Sequence, residues 1–172
     1  MPHTGRAMVV RVYLGLGANL GDRAENIARA LVALKEKGLA LHSLSRLYET
    51  EPWGVTEQPR FLNAACAIEA DLTPHALLDL LQATEGELGR VPSVRYGPRV
   101  IDLDILLYGD LRIATPRLTI PHPGMLERAS VLMPLADIAS ALRHPVTGLT
   151  IAAHLAQLGP ISGVALYPPG LL

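Results

Sequence analysis

Two acids one residue apart, Asp102 and Asp104, stand in the run Ile101-Asp102-Leu103-Asp104-Ile105. Side chains of a strand alternate between its faces. Ile101, Leu103 and Ile105 can then face a core, while Asp102 and Asp104 share the other face, about 6–7 Å apart along the strand. Carboxylates held so close repel unless a positive charge stands between them. Magnesium takes oxygen ligands and keeps waters or phosphates in its shell, which meets that need. A solvated strand face that carries two acids fits the same pattern equally well.

The neighbours shift the balance. Arg90, Arg95 and Arg99 precede the pair, and Arg117 and Arg128 follow it. Acids can hold a metal while arginines hold phosphate oxygens in bidentate pairs. Scattered surface ion pairs are the plainer alternative, and three arginines in one Gly/Pro-bearing loop make it less attractive. His122 lies between Pro121 and Pro123, in a rigid turn where it can donate to phosphate. Gln82 and Glu85 are three apart on an expected helix and share a face. Phe61 and Asn63 share one side of an expected strand. An aromatic face beside an amide can stack a flat heterocycle and pair with its edge, although a strand Phe often simply packs in a core. The glycine-rich stretch Gly15–Gly21, GLGANLG, matches neither the dinucleotide fingerprint nor a P-loop, and reads as a strand-to-helix turn.

The elements that must position these residues are legible in the patterning. A first strand is expected over 8–17. Asp22, with Glu25 three residues on, caps a helix carrying Ile27, Leu31 and Leu34, which Gly38 ends. A second strand runs through 40–50, a polar loop spans 51–60, and a third strand covers 61–70. Thr73-Pro74 starts a helix that continues to Leu88, with Gly89 as its stop. A loop at 90–98 leads to a fourth strand at 99–108 and a short hairpin near Gly109-Asp110. A Pro-rich turn and short helix occupy 121–138, and Thr150 to Leu158 forms a last helix. The order βαββαβ, followed by helices, predicts an α+β fold. It is the ferredoxin-like antiparallel sheet, with two helices packed on one face and a helical C-terminal extension. A single domain over 8–160 is expected, with loose ends at 1–7 and 161–172.

Composition narrows the class. The 172 residues are 49% apolar, with a net charge of −1. That balance argues against nucleic acid or an anionic membrane as partner. All of the 15 basic residues except Lys35 and Lys37 are arginine, a bias that GC-rich coding would also produce. The one cysteine, Cys66, excludes a disulfide framework and reads as a small buried hydrophobe. No long apolar run and no signal-peptide pattern is present, so a cytoplasmic location is expected.

The stretch Arg95 to Leu106, RYGPRVIDLDIL, resembles the signature of the 6-hydroxymethyl-7,8-dihydropterin pyrophosphokinase family. Other blocks agree in order and spacing: GLGANLG at 15–21, YETEP at 48–52, QPRFLNA at 58–64, RLTIPHP at 117–123 and the stretch from Arg128 to Leu135. The resemblance implies transfer of pyrophosphate from ATP to the hydroxymethyl group of the dihydropterin, with release of AMP. It implies that Asp102 and Asp104 bind two magnesium ions. Gln82, Glu85, Arg90, Arg95, Arg99, Arg117, Thr119, His122 and Arg128 would meet ATP, with backbone near Ile105 against the adenine. Thr50, Trp53, Phe61, Asn63 and Tyr96 would form the pterin pocket, with Asp102 beside it. Arg90 and Arg99 would join the two acids in catalysis. The substrates would be small molecules, the enzyme a monomer, and the loops at 51–60 and 90–98 its lids. Tyr96 replaces the more usual Trp, and Ser130 stands where many relatives carry an aromatic. A metal-dependent nuclease and a noncatalytic metabolite sensor are the rival readings of the same fold.

Overall fold

The computed structural model describes residues 9–52, 54, 56–90 and 95–168. Strand β1 (Val10–Ala18) leads into helix α1 (Arg23–Glu36). Asp22 caps α1 by accepting a hydrogen bond from the Glu25 amide at 3.1 Å, and Gly38 follows the helix with a φ of +89°. Strands β2 (Ala40–Leu44), β3 (Tyr48–Thr50) and β4 (Phe61–Ala70) come next. In helix α2 (Pro74–Glu87), Thr73 accepts from the Ala76 amide at 3.2 Å, Pro74 takes the first turn, and Gly89 sits just beyond the end with a φ of +101°. Strand β5 (Asp102–Tyr108) precedes the small pair β6 (Ile113–Ala114) and β7 (Thr119–Ile120), and then helices α3 (Ala129–Ala139) and α4 (Ile151–Gln157). Strand β8 (Val164–Leu166) is the last element among the described residues.

The main sheet runs β5-β1-β4-β3-β8, with β2 also paired to β4, and every pairing is antiparallel. Counted as one strand, β2 and β3 lie outside β4, and β1 lies between β4 and β5. This is the ferredoxin-like order that the sequence predicts. Helices α1 and α2 cover one face, over Leu14, Leu16, Leu62, Cys66, Leu103 and Ile105. Each such leucine or isoleucine, taken out of water, contributes about 1.5–3 kcal/mol. Helices α3 and α4 cover part of the other face, where Leu132, Leu135 and Ile151 join Ala65, Leu106 and Leu107. Cys66 is fully buried, which pushes its thiol up to about 12.

Four expectations need correction. The single strand expected over 40–50 is broken at 45–47. There the Ser45 hydroxyl accepts from the Ala65 amide at 2.8 Å, and Arg46 turns out to pair with Asp137 of α3 at 2.8 Å. The strand expected from 99 begins at Asp102, because Arg99 exchanges hydrogen bonds with Asn19 instead. Gly109-Asp110 is only a turn. The hairpin is β6–β7, closed through Thr115 and Leu118. Finally, the stretch 161–172, expected to be loose, contains β8, which pairs with β3.

Candidate active site

Three strands build the floor of a cleft. On β5 the alternation falls as expected: Ile101, Leu103 and Ile105 are buried, and Asp102 and Asp104 point to the opposite face. On β4 the residues of that face are Phe61 and Asn63. Between them lies β1, whose Gly17 pairs with both Asp102 and Asn63, and whose Gly15 pairs with Asp104 and Ala65. Leu14 and Leu16 point the other way, into the core. The two glycines belong to the strand, as the expected strand over 8–17 has them, and Gly21, with a φ of +65°, serves the turn that follows. A Cβ on Gly17 would lie 2.8 Å from Asn63 Oδ1. The bare backbone leaves room for Asn63 and keeps the floor between acids and amide open.

The cleft encloses about 700 Å³. Its rim carries Arg90, Arg95, Arg99 and Arg128, with Tyr96, His122 and Ser130. Arg90 pairs with Asp102 at 3.1 Å and also with Glu85, and Arg99 approaches Asp102 at 3.8 Å. Arg95 and Arg128 lie 4.8 and 5.7 Å from the centre of the Tyr96 ring. Tyr96 takes a φ of +59°, uncommon for a residue with a side chain, and its ring packs against Gly54, where a Cβ would not fit.

Asn19 joins the surrounding loops. Its amide donates to Gln58 at 2.9 Å and to the Pro59 carbonyl at 3.0 Å, and its oxygen accepts from the Arg99 amide at 2.8 Å. Gln58 in turn donates to the Tyr96 carbonyl at 2.7 Å. The segment at Gln58-Pro59 and the segment at Arg99 are thus tied through one buried amide. Asn63 donates to Thr50 Oγ1 at 2.5 Å, which fixes the orientation of its amide.

Burial and mutual repulsion dominate the electrostatics of the acids. Burial, followed by repulsion from Asp104, raises Asp102 to about 6. Burial raises Asp104 as well, against the pull of Arg90 and Arg128. Glu85 is raised to about 7, chiefly by burial, while Arg90 and the Leu103 amide oppose the shift. His122 is lowered by burial and by Arg128. Its Nδ1 accepts from the Gly124 amide at 3.2 Å, so the neutral ring carries its proton on Nε2 and can donate from there. Among the described residues, no group of three or more His, Cys, Asp and Glu could hold a metal. Two carboxylates with no soft donor fit magnesium, which binds through one or two carboxylates and completes its shell with waters and phosphate oxygens.

The expected residues divide into two sets. Thr50, Phe61, Asn63, Arg90, Arg95, Tyr96, Arg99, Asp102, Asp104, His122 and Arg128 all line the cleft. Gln82, Glu85, Ile105, Arg117 and Thr119 do not. Glu85 is buried beneath Arg90 and accepts from the Leu103 amide at 3.2 Å, so it is no partner to exposed Gln82. Arg117 pairs with Asp79 of α2 at 2.6 Å and reaches Gln82 at 3.3 Å. The Ile105 side chain is in the core. Trp53 lies outside the described residues, as do 91–94 of the second loop. Gly15, Gly17 and Asn19 were not assigned a role from sequence. The signal for the glycines was the alternation Leu-Gly-Leu-Gly itself; Asn19 carried none.

The sequence profile described as 7,8-dihydro-6-hydroxymethylpterin-pyrophosphokinase matches residues 13–140. The chain belongs to this family. It is 48% identical over 162 residues to the 2-amino-4-hydroxy-6-hydroxymethyldihydropteridine pyrophosphokinase of Pseudomonas aeruginosa, covering 94% of this chain and 99% of that one. It is 46% identical to the enzyme of the same name from Methylorubrum extorquens, covering 91% and 98%. A folic acid synthesis protein of Pneumocystis carinii is 47% identical over 86% of this chain, which spans only 20% of that longer protein. A solved Plasmodium falciparum HPPK-DHPS structure with SDX-DHP superposes with a TM-score of 0.73 at 17% identity, over 90% of this chain and 46% of that one, a likeness of fold. Among the pyrophosphokinase's described residues, no helix is long and apolar enough to cross a membrane.

Proposed function

We propose that this pyrophosphokinase, which moves pyrophosphate to 6-hydroxymethyl-7,8-dihydropterin in folate synthesis, draws it from ATP and works with magnesium at Asp102 and Asp104. The observation that carries this reading is the floor of the cleft. Two carboxylates face an amide and an aromatic ring across bare glycine backbone, under a rim of arginines. Phe61 supplies a face for the flat pterin, and Asn63, oriented by Thr50, supplies hydrogen bonds to its edge. Tyr96 and Trp53 complete that pocket. Ser130 lines the cleft and offers no aromatic face of its own, so Trp53 would supply the second one.

The acids divide the cleft. Arg90, Arg95, Arg99 and Arg128, with His122 Nε2, face the phosphates and balance charge that develops as the terminal pyrophosphate leaves AMP. Arg117, Thr119, Gln82 and the backbone near Ile105 take the outer part of the nucleotide. Glu85 positions Arg90 from below. Two magnesium ions, when bound, neutralise the triphosphate and favour the alkoxide of the attacking alcohol. Asp102 and Asp104 would hold them, and Asp102 would also assist the attacking alcohol directly. The work of the protein is alignment of two substrates, since no dedicated general base adjoins the floor among the described residues. The loops at 51–60 and 90–98, tied through Asn19, close over the site. Small molecules are its partners, the enzyme acts as a monomer, and its place is the cytoplasm.

The test is AMP release from ATP, with and without the pterin alcohol. AMP that depends on the pterin and is lost with EDTA is expected. AMP formed equally without pterin, or unaffected by EDTA, would overturn the reading. Nucleic acid consumed with magnesium would favour the nuclease alternative instead.

A further inference from the structure

The chain beyond residue 140 lies outside the match to the family profile, yet it returns to the site. After α4, strand β8 pairs along the outer edge of β3, with Val164 opposite Thr50, Ala165 opposite Glu49 and Leu166 opposite Tyr48. The ladder extends at both ends: the Glu51 amide donates to the Gly163 carbonyl at 2.9 Å, and the Tyr167 amide donates to the Leu47 carbonyl at 2.9 Å. Gly163 has a φ of +73°, and a Cβ there would lie 2.8 Å from the Glu51 carboxyl group.

Arg23, at the start of α1, gathers the same parts. It pairs with Glu49 at 2.8 Å, donates to the Arg60 carbonyl at 3.0 Å, and lies over the Tyr167 ring at 5.6 Å. Glu49 and Arg60 flank the loop at 51–60, so one guanidinium holds both ends of that loop and the terminal strand. Very little apolar burial is involved in β8 itself: Ala165 and Leu166 are exposed. Its contribution is to the edge of β3, a three-residue strand that would otherwise fray.

We infer that β8, fastened by Tyr167 and Arg23, is a positioning element for the pterin side of the cleft. Thr50 lies between Phe61 of β4 and Val164 of β8, and Thr50 orients the Asn63 amide. Loss of β8 frees Thr50 and Glu51 and lets that amide turn, while the arginine and aspartate side, built on β5 and its loop, keeps its support. The inference rests on the assignment of Asn63 to the pterin pocket.

The test uses the full chain, a form ending at Pro160, and the variants Tyr167→Ala and Asn63→Ala. The KM values for pterin and ATP are measured with the thermal midpoint. The shortened form and Tyr167→Ala should raise the pterin KM about tenfold, leave the ATP KM within about twofold, and lower Tm little. If Asn63→Ala raises the pterin KM but neither β8 change does, the positioning role fails and the pocket stands. If both KM values rise together with a large fall in Tm, β8 is merely structural and the inference fails. If Asn63→Ala leaves the pterin KM unchanged, the pocket assignment falls, and the inference with it.

Discussion

The two faces of one sheet are made by adjacent residues of the same three strands, and they do opposite things. Leu14, Leu16, Leu62, Leu103 and Ile105 face α1 and α2 and lie in a closed apolar core. Gly15, Gly17, Asn63, Asp102 and Asp104, each one residue away, face a polar cleft. The helix-covered face stores stability. The cleft face spends it, since Asp102 and Asp104 are held together on one strand face with both carboxyls raised. A period of two separates folding from chemistry without separating them in sequence.

Substitutions at neighbouring positions should therefore give unlike results. Asp104→Asn should lower turnover by about 10³-fold or more, since it removes half of the carboxylate pair proposed to bind magnesium. Near-normal turnover in a steady-state AMP assay would erase the contrast between the faces at its strongest point. Leu14→Ala should cost about 2–5 kcal/mol in urea unfolding, with turnover per folded molecule preserved. Gly17→Ala, only three residues on, should fold nearly as well and raise the pterin KM about tenfold by pushing Asn63 aside, an effect near 1.4 kcal/mol. An equal rise in the KM for ATP would show that the glycine serves the whole floor.

The smallest effect concerns stability and pH. A carboxyl raised in the folded state penalises folding once it ionises. For Asp102 that penalty is absent below about pH 4 and complete above about pH 6. Metal-free Asp102→Asn should therefore melt slightly higher than the parent at pH 8, and the gain should vanish by pH 4. The lost pairing with Arg90 works against the gain, so magnesium-free buffers at several pH values are needed. A gain that persisted unchanged at pH 4 would show that ionisation of Asp102 is not its cause.

Local signals are dependable where the structure they specify is itself local. Asp22 and Thr73 cap the helices expected of them, and Gly38 and Gly89 end them. The break of the second strand was not legible, because it depends on the Ser45 hydroxyl meeting Ala65 twenty residues away and on Asp137 meeting Arg46. Strand β8 escapes notice for a like reason. Val164, Ala165 and Leu166 show no alternation of their own, and β3 alone makes them a strand. In the site, the Asp pair was legible from alternation. The placement of Glu85 beneath Arg90, rather than beside Gln82, depends on how α2 rotates against β5.

The caps, the helix periods, the two faces of β5 and the family can all be read from the chain alone, because each is written within a few residues or in a contiguous block. Three features needed the folded molecule: Gly15 and Gly17 as the floor of a cleft, Asn19 as the link between two loops, and the chain's end as a brace for Thr50. Those features are pairings between segments far apart in the chain. Their physical cause is the sheet, which brings β1, β4, β5 and β8 together by hydrogen bonds that no local pattern specifies.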